Sequence, residues 1–92
     1  SMSETHSKEF ELQNKYGMHA RPAMKFVSVT SKYSAEVTVT KDGKEVDGKS
    51  IMGIMTLAAE KGAVLQVTAV GADAQNLLKE LQELIESKFG EE

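Results

Sequence analysis

Polar and apolar residues alternate one for one along several short stretches of the chain, and between them the apolar spacing lengthens to that of a helix. Phe10 and Leu12 alternate with Glu9, Glu11 and Gln13, the two-residue period of a strand with one buried face. Asn14 to Gly17 breaks that alternation as a turn. Pro22 then stands in the first turn of a helix, where its missing N–H would have had no partner. Ala23, Phe26, Val27 and Thr30 follow at helical spacing, which predicts a helix from about Ala20 to Ser31.

Ala35, Val37 and Val39 alternate with Glu36, Thr38 and Thr40; Asp42-Gly43 supplies the tight turn of a hairpin, and Lys44 to Asp47 returns. Ser50 is placed to cap a short helix over Ile51 to Thr56, because its hydroxyl can accept a free backbone N–H there. Leu65, Val67 and Ala69 against Gln66, Thr68 and Val70 give a last strand. Asp73 is a good N-cap for a long final helix, with Leu77, Leu78, Leu81, Leu84 and Ile85 on one stripe. The order β-α-β-β-α-β-α reads as a two-layer α+β domain. Its sheet is mostly antiparallel, with helices on one face and the other face open to water.

Ninety-two residues make one domain with a modest core. Ser1 and Met2 look like an expression scar, residues 1–7 are expected as a flexible tail, and the domain is expected over 8–90. With no cysteine there is neither a disulfide framework nor thiolate chemistry. No apolar run approaches the ~18 residues of a membrane span and no signal-peptide pattern appears, so the expected setting is the cytoplasm, without membrane insertion. Eleven basic against fourteen acidic residues, interspersed, give a net charge of −3; with two Tyr, three Phe and no Trp, this is a poor footprint for nucleic acid.

Two stretches carry candidate chemistry. In Gly17-Met18-His19-Ala20-Arg21-Pro22 a histidine stands just ahead of a helix, beside the unsatisfied N–H groups of Ala20 and Arg21 and the positive end of the helix dipole. An anion attached to that ring would meet those donors, and Arg21 adds a permanent forked cation. Gly17 would let the backbone approach closely. The positive field favours the neutral ring, whose nitrogen lone pair is what attack on phosphorus requires. On these residues alone, a surface histidine with a charged neighbour is an equal reading. No metal site is expected, because His6, the other histidine, lies in the tail and no carboxylate stands at ligand spacing from His19.

In Lys49-Ser50-Ile51-Met52-Gly53-Ile54-Met55, four apolar side chains are too many for a short helix to bury on a single face. Ile54 is expected in the core and the others partly exposed, and methionine adapts to partners of different shape, which suggests a docking surface. Ser50 caps the helix. A phosphate there would be structurally tolerated while placing about two negative charges beside the apolar patch.

At these two stretches the sequence resembles the HPr family of bacterial phosphotransferase systems, including its nitrogen-regulatory branch, over about Lys8 to Phe89. The first stretch is similar to the family's phosphohistidine signature and the second to its regulatory serine signature. The resemblance implies an open-faced β-sandwich, with four antiparallel strands and three helices on one face. It implies that His19 accepts phosphate on Nδ1 (the pros nitrogen) from phosphorylated enzyme I and passes it to a IIA protein or domain. Arg21 would steady the phosphoryl group, and Ser50 would be the target of an HPr kinase/phosphorylase. The family's partner surface maps to Met18, Met24, Ile51, Met52 and Met55. The chain would act without a cofactor, as a carrier rather than an enzyme and as a monomer. Tyr16 before Gly17 looks like the nitrogen branch and the Ser50 stretch like members under kinase control, so sugar and nitrogen pathways both stay open.

The rival reading is a regulatory HPr-like binding protein controlled at Ser50, with little use of His19. A more distant rival is a small-molecule module that uses the same helix end as an anion site.

Overall fold

The computed structural model describes residues 4–91. Strand β1 runs Thr5–Glu11, helix α1 Ala20–Thr30, β2 Glu36–Lys41, β3 Lys44–Asp47, α2 Ile51–Thr56, β4 Val64–Val70 and α3 Ala74–Glu86, followed by a 3-10 turn at Lys88–Gly90. The expected element order is present in full. Every strand pair is antiparallel and the sheet order is β1-β4-β2-β3.

Strand β1 begins earlier than its alternation suggested. Thr5 pairs with Val70 and His6 with Ala69, so the segment expected to be loose contains three residues of the sheet. Polar residues hide this strand because it lies at a sheet edge, where backbone pairing to β4 fixes the chain without a buried side chain at every second position. Ser1 and Met2, the expected scar, lie outside the described residues.

The inner sheet face is apolar along its centre, with His6 and Lys8 of β1 and Lys41 and Lys44 of the β2–β3 hairpin at its edges. Phe10, Val37, Val39, Leu65, Val67 and Ala69 are buried, and the helices cover them with Ala23, Phe26, Val27, Ile54, Leu77, Leu81 and Ile85 in one continuous core. The outer face keeps Glu9, Glu36, Gln66 and Glu45 in water. Asp42 and Gly43 both take positive φ, the backbone shape of a two-residue hairpin turn that follows the strands' twist.

Asp73 precedes α3 but does not cap it through its side chain. Its carboxylate reaches across to the loop before β2, accepting from the N–H of Ser34 (2.8 Å) and Ala35 (2.9 Å). These two backbone donors hold its carboxyl below the ordinary carboxylate range. Ser50 does cap α2: its Oγ accepts from the Gly53 N–H at 2.9 Å.

Candidate functional site

The loop that carries the first stretch is held from below. Leu12 exchanges backbone hydrogen bonds with Ala63 and Gly62, and the Met18 N–H donates to the Ala59 carbonyl at 2.8 Å. Gly17 sits between these anchors at φ +67°, and a Cβ there would come within 2.4 Å of that same Ala59 oxygen. Gly17 was expected to ease the backbone's approach to an anion; what the structure brings close to it is a second loop.

Pinned in this way, the chain turns at His19 into α1. His19 is the N-cap residue, with extended backbone (φ −83°, ψ −170°); its carbonyl accepts the first helical hydrogen bond from Ala23, and its ring is not spent on capping. Ala20 and Arg21 are then the first two helical residues, whose N–H groups have no partner inside the helix. Pro22, which follows, has no N–H to satisfy. Arg21 is exposed and makes no ion pair among the described residues.

His19, Ala20, Arg21 and Met24 share one open depression with Tyr16, Lys25 and Glu91. The Tyr16 ring stands edge-on to the imidazole, with centroids 6.5 Å apart. Of the expected docking residues, Met18 and Met24 sit on α1 or its approach, and Ile51, Met52 and Met55 on α2. The two helices pack against each other, but Ser50, Ile51, Met52 and Met55 do not line the His19 depression.

The docking set needs one correction. Met24 (51 %), Met52 (72 %), Ile51 (39 %) and Met55 (38 %) are exposed, but Met18 is 4 % exposed and belongs to the core. Its backbone is tied to Ala59, and this turns the side chain under the loop. The exposed large side chain on this approach is Tyr16 (71 %). Ile54 is buried, as expected.

A carboxylate that the sequence pattern did not bring to the site also stands there. Glu91 Oε2 lies 3.0 Å from His19 Nε2, and its other oxygen accepts from Asn14 Nδ2 at 3.1 Å. Asn14 is fully buried and also donates to the Gly17 carbonyl at 2.8 Å. The sequence reading surrounded His19 with positive groups only. Glu91 arrives from the far end of the chain, and the one hint of it was Phe89, an isolated aromatic in a polar segment. Phe89 is buried, and Lys25 of α1 donates to its carbonyl at 2.6 Å.

An ionised carboxylate beside Nε2 favours the tautomer that carries its proton there, and a neutral imidazole in that tautomer keeps its lone pair on Nδ1. Nδ1 is the ring nitrogen nearer the His19 backbone. The arrangement offers a nucleophilic nitrogen, two free amide donors and one free guanidinium within a shallow, solvent-open depression. Among the described residues no cluster of three or more His, Cys, Asp or Glu side chains could hold a metal ion, and no helix is long and apolar enough to cross a membrane.

The family model described as "PTS HPr component phosphorylation site" matches residues 6–87. The phosphocarrier protein HPr of Neisseria meningitidis is 47 % identical over 81 residues, covering 88 % of this chain and 91 % of that protein. Among solved structures, the HPr-C-His of Thermoanaerobacter tengcongensis superposes with a TM-score of 0.91 at 49 % identity, covering 95 % of this chain and 98 % of that one. An HPr dimer from the same organism is 51 % identical, with a TM-score of 0.76 and coverage of 89 % and 94 %.

Proposed function

The chain belongs to the HPr family of phosphocarriers of the phosphotransferase system, and on that premise we propose that it relays a phosphoryl group as a covalent phosphohistidine on Nδ1 of His19. The observation that carries this reading is the division of labour on one ring: Nε2 lies 3.0 Å from the Glu91 carboxylate, while Nδ1 makes no hydrogen bond or ion pair among the described residues.

The Nδ1 lone pair attacks the phosphorus presented by phosphorylated enzyme I, and the donor's bond to phosphorus breaks. The transferred oxygens then lie within reach of the Ala20 and Arg21 N–H groups and the Arg21 guanidinium. These are modest stabilisers in open water, which suits a relay: a deeper well would trap the phosphoryl group instead of releasing it to a IIA acceptor. Every group involved comes from one copy of the chain, and neither metal nor organic cofactor is needed. The protein is consumed and regenerated as a carrier, and does not turn over a small substrate.

Docking of both partners falls to Met24, Ile51, Met52 and Met55, with Tyr16 in the place first given to Met18. Ser50 is the control point. Its hydroxyl oxygen caps α2, and a phosphate added by a kinase would keep an acceptor at that helix end while placing about two negative charges beside Ile51 and Met52.

Incubation with enzyme I and phosphoenolpyruvate tests the relay. The expected product is an acid-labile, base-stable phosphate that His19→Ala abolishes. A label that survives His19→Ala, or only acid-stable phosphate taken from ATP, would overturn the relay in favour of regulation through Ser50.

A further inference from the structure

The segment that carries Glu91 is built into the fold. Phe89 is fully buried although its backbone is left-handed (φ 56°, ψ 23°), a conformation that costs a non-glycine residue about 1–2 kcal/mol and persists only where packing holds it. Lys25 clasps the Phe89 carbonyl, and the Glu91 N–H closes a turn onto Lys88. Helix α1 thus presents His19 at one end and, through Lys25, holds the turn that returns Glu91 to it. The Glu91 side chain is only 16 % exposed, and both its oxygens are engaged, one by His19 and one by the buried amide of Asn14. The Asn14 amide must present its nitrogen here, because both its neighbours, the Gly17 carbonyl and the carboxylate, are acceptors.

We infer that Glu91 is a positioning residue for the relay, a role that rests on the phosphohistidine reading above. Before transfer it holds the proton on Nε2 and leaves the lone pair on Nδ1. During transfer Nδ1 gives that pair to phosphorus, the donor's bond to phosphorus breaks with its own pair, and the Nε2 proton stays in place. The ring of the phosphorylated form therefore carries a positive charge, and the Glu91 carboxylate is its counter-ion. A cationic ring is a better leaving group than a neutral one, so Glu91 keeps the P–N bond labile for onward transfer. When that bond breaks, its electron pair returns to Nδ1 and the starting tautomer is restored.

Phosphoramidate, a small phosphoryl donor that needs no docking partner, isolates this role. The full chain, Glu91→Gln and Glu91→Ala are phosphorylated with it, after their unfolding curves show that all three are folded. The site of attachment is read by NMR of the ring nitrogens, and the lifetime of the phosphohistidine is followed against pH. The wild type is expected to carry phosphate on Nδ1 alone, whereas Glu91→Ala also admits phosphate on Nε2. Glu91→Gln is expected to lengthen the phosphohistidine lifetime at neutral pH by about tenfold, through the loss of the negative charge beside Nε2, and to move the pH profile toward acid. Glu91→Asp should recover part of the effect. Equal lifetimes and identical attachment in all three proteins would overturn this inference alone. Failure of the wild type to take any label on His19 would overturn the phosphocarrier reading and this inference with it.

Discussion

At the scale of single residues, Gly17 carries the sharpest structural demand. Its φ of +67° is one that side chains avoid, and a Cβ would meet both Ala59 O at 2.4 Å and Glu60 Cα at 2.6 Å. These are backbone atoms, and Ala59 O already accepts from Met18, so no rotamer change relieves the clash. Gly17→Ala is expected to cost about 3 kcal/mol, combining the left-handed penalty with overpacking, measured as a fall in the urea midpoint. The residues legible in the sequence here were contiguous ones: Gly17, His19, Ala20, Arg21 and Pro22 define a helix start by their order alone. Met18 was not legible. An apolar side chain in a turn faces inward or outward according to what lies beneath, and what lies beneath is a loop some forty residues later. Glu91 was hidden for the same reason more strongly, since only the completed fold brings it to the ring.

At the scale of elements, the strands on the inner sheet face were legible wherever apolar residues recur at every second position, and α2 was legible from its serine cap. Asp73 was read as a helix cap because its type and place fit that role, yet it serves a different pair of donors. Its two hydrogen bonds to Ser34 and Ala35 tie the start of α3 to the start of β2. Because its pKa is lowered in the folded protein, the unfolded chain takes up the proton more readily. The stabilisation is therefore present above the ordinary carboxylate value of 3.8 and is lost as the pH falls through the folded value. Asp73→Asn is expected to be less stable than wild type at neutral pH, and the gap is expected to close in acid, where protonated Asp73 matches the amide in charge. Thermal unfolding of both proteins across that range checks the sign; a gap that widened in acid would contradict the strap.

At the scale of the molecule, charge and apolar surface are divided. Glu9, Glu11, Glu36, Glu45 and Asp47 are exposed on the sheet strands, whereas the His19 depression gathers Lys15, Arg21 and Lys25 with Glu91 and the exposed Met24. On a chain of net charge −3, a basic corner with an apolar side chain is one that would favour the approach of an acidic partner. Two methionines separate docking from packing. Met52, 72 % exposed, stabilises little in the free protein, but its burial against a partner is worth about 1.5–3 kcal/mol. Met52→Glu forfeits that burial and adds a charge, so the KM of enzyme I for this protein should rise tenfold or more with the unfolding midpoint unchanged. Met18→Ala, at a position 4 % exposed, should do the reverse: lose about 2–5 kcal/mol of stability while leaving the docking face intact. Steady-state phosphorylation kinetics beside urea unfolding resolve the pair, and a Met52→Glu protein with wild-type KM would remove α2 from the docking face.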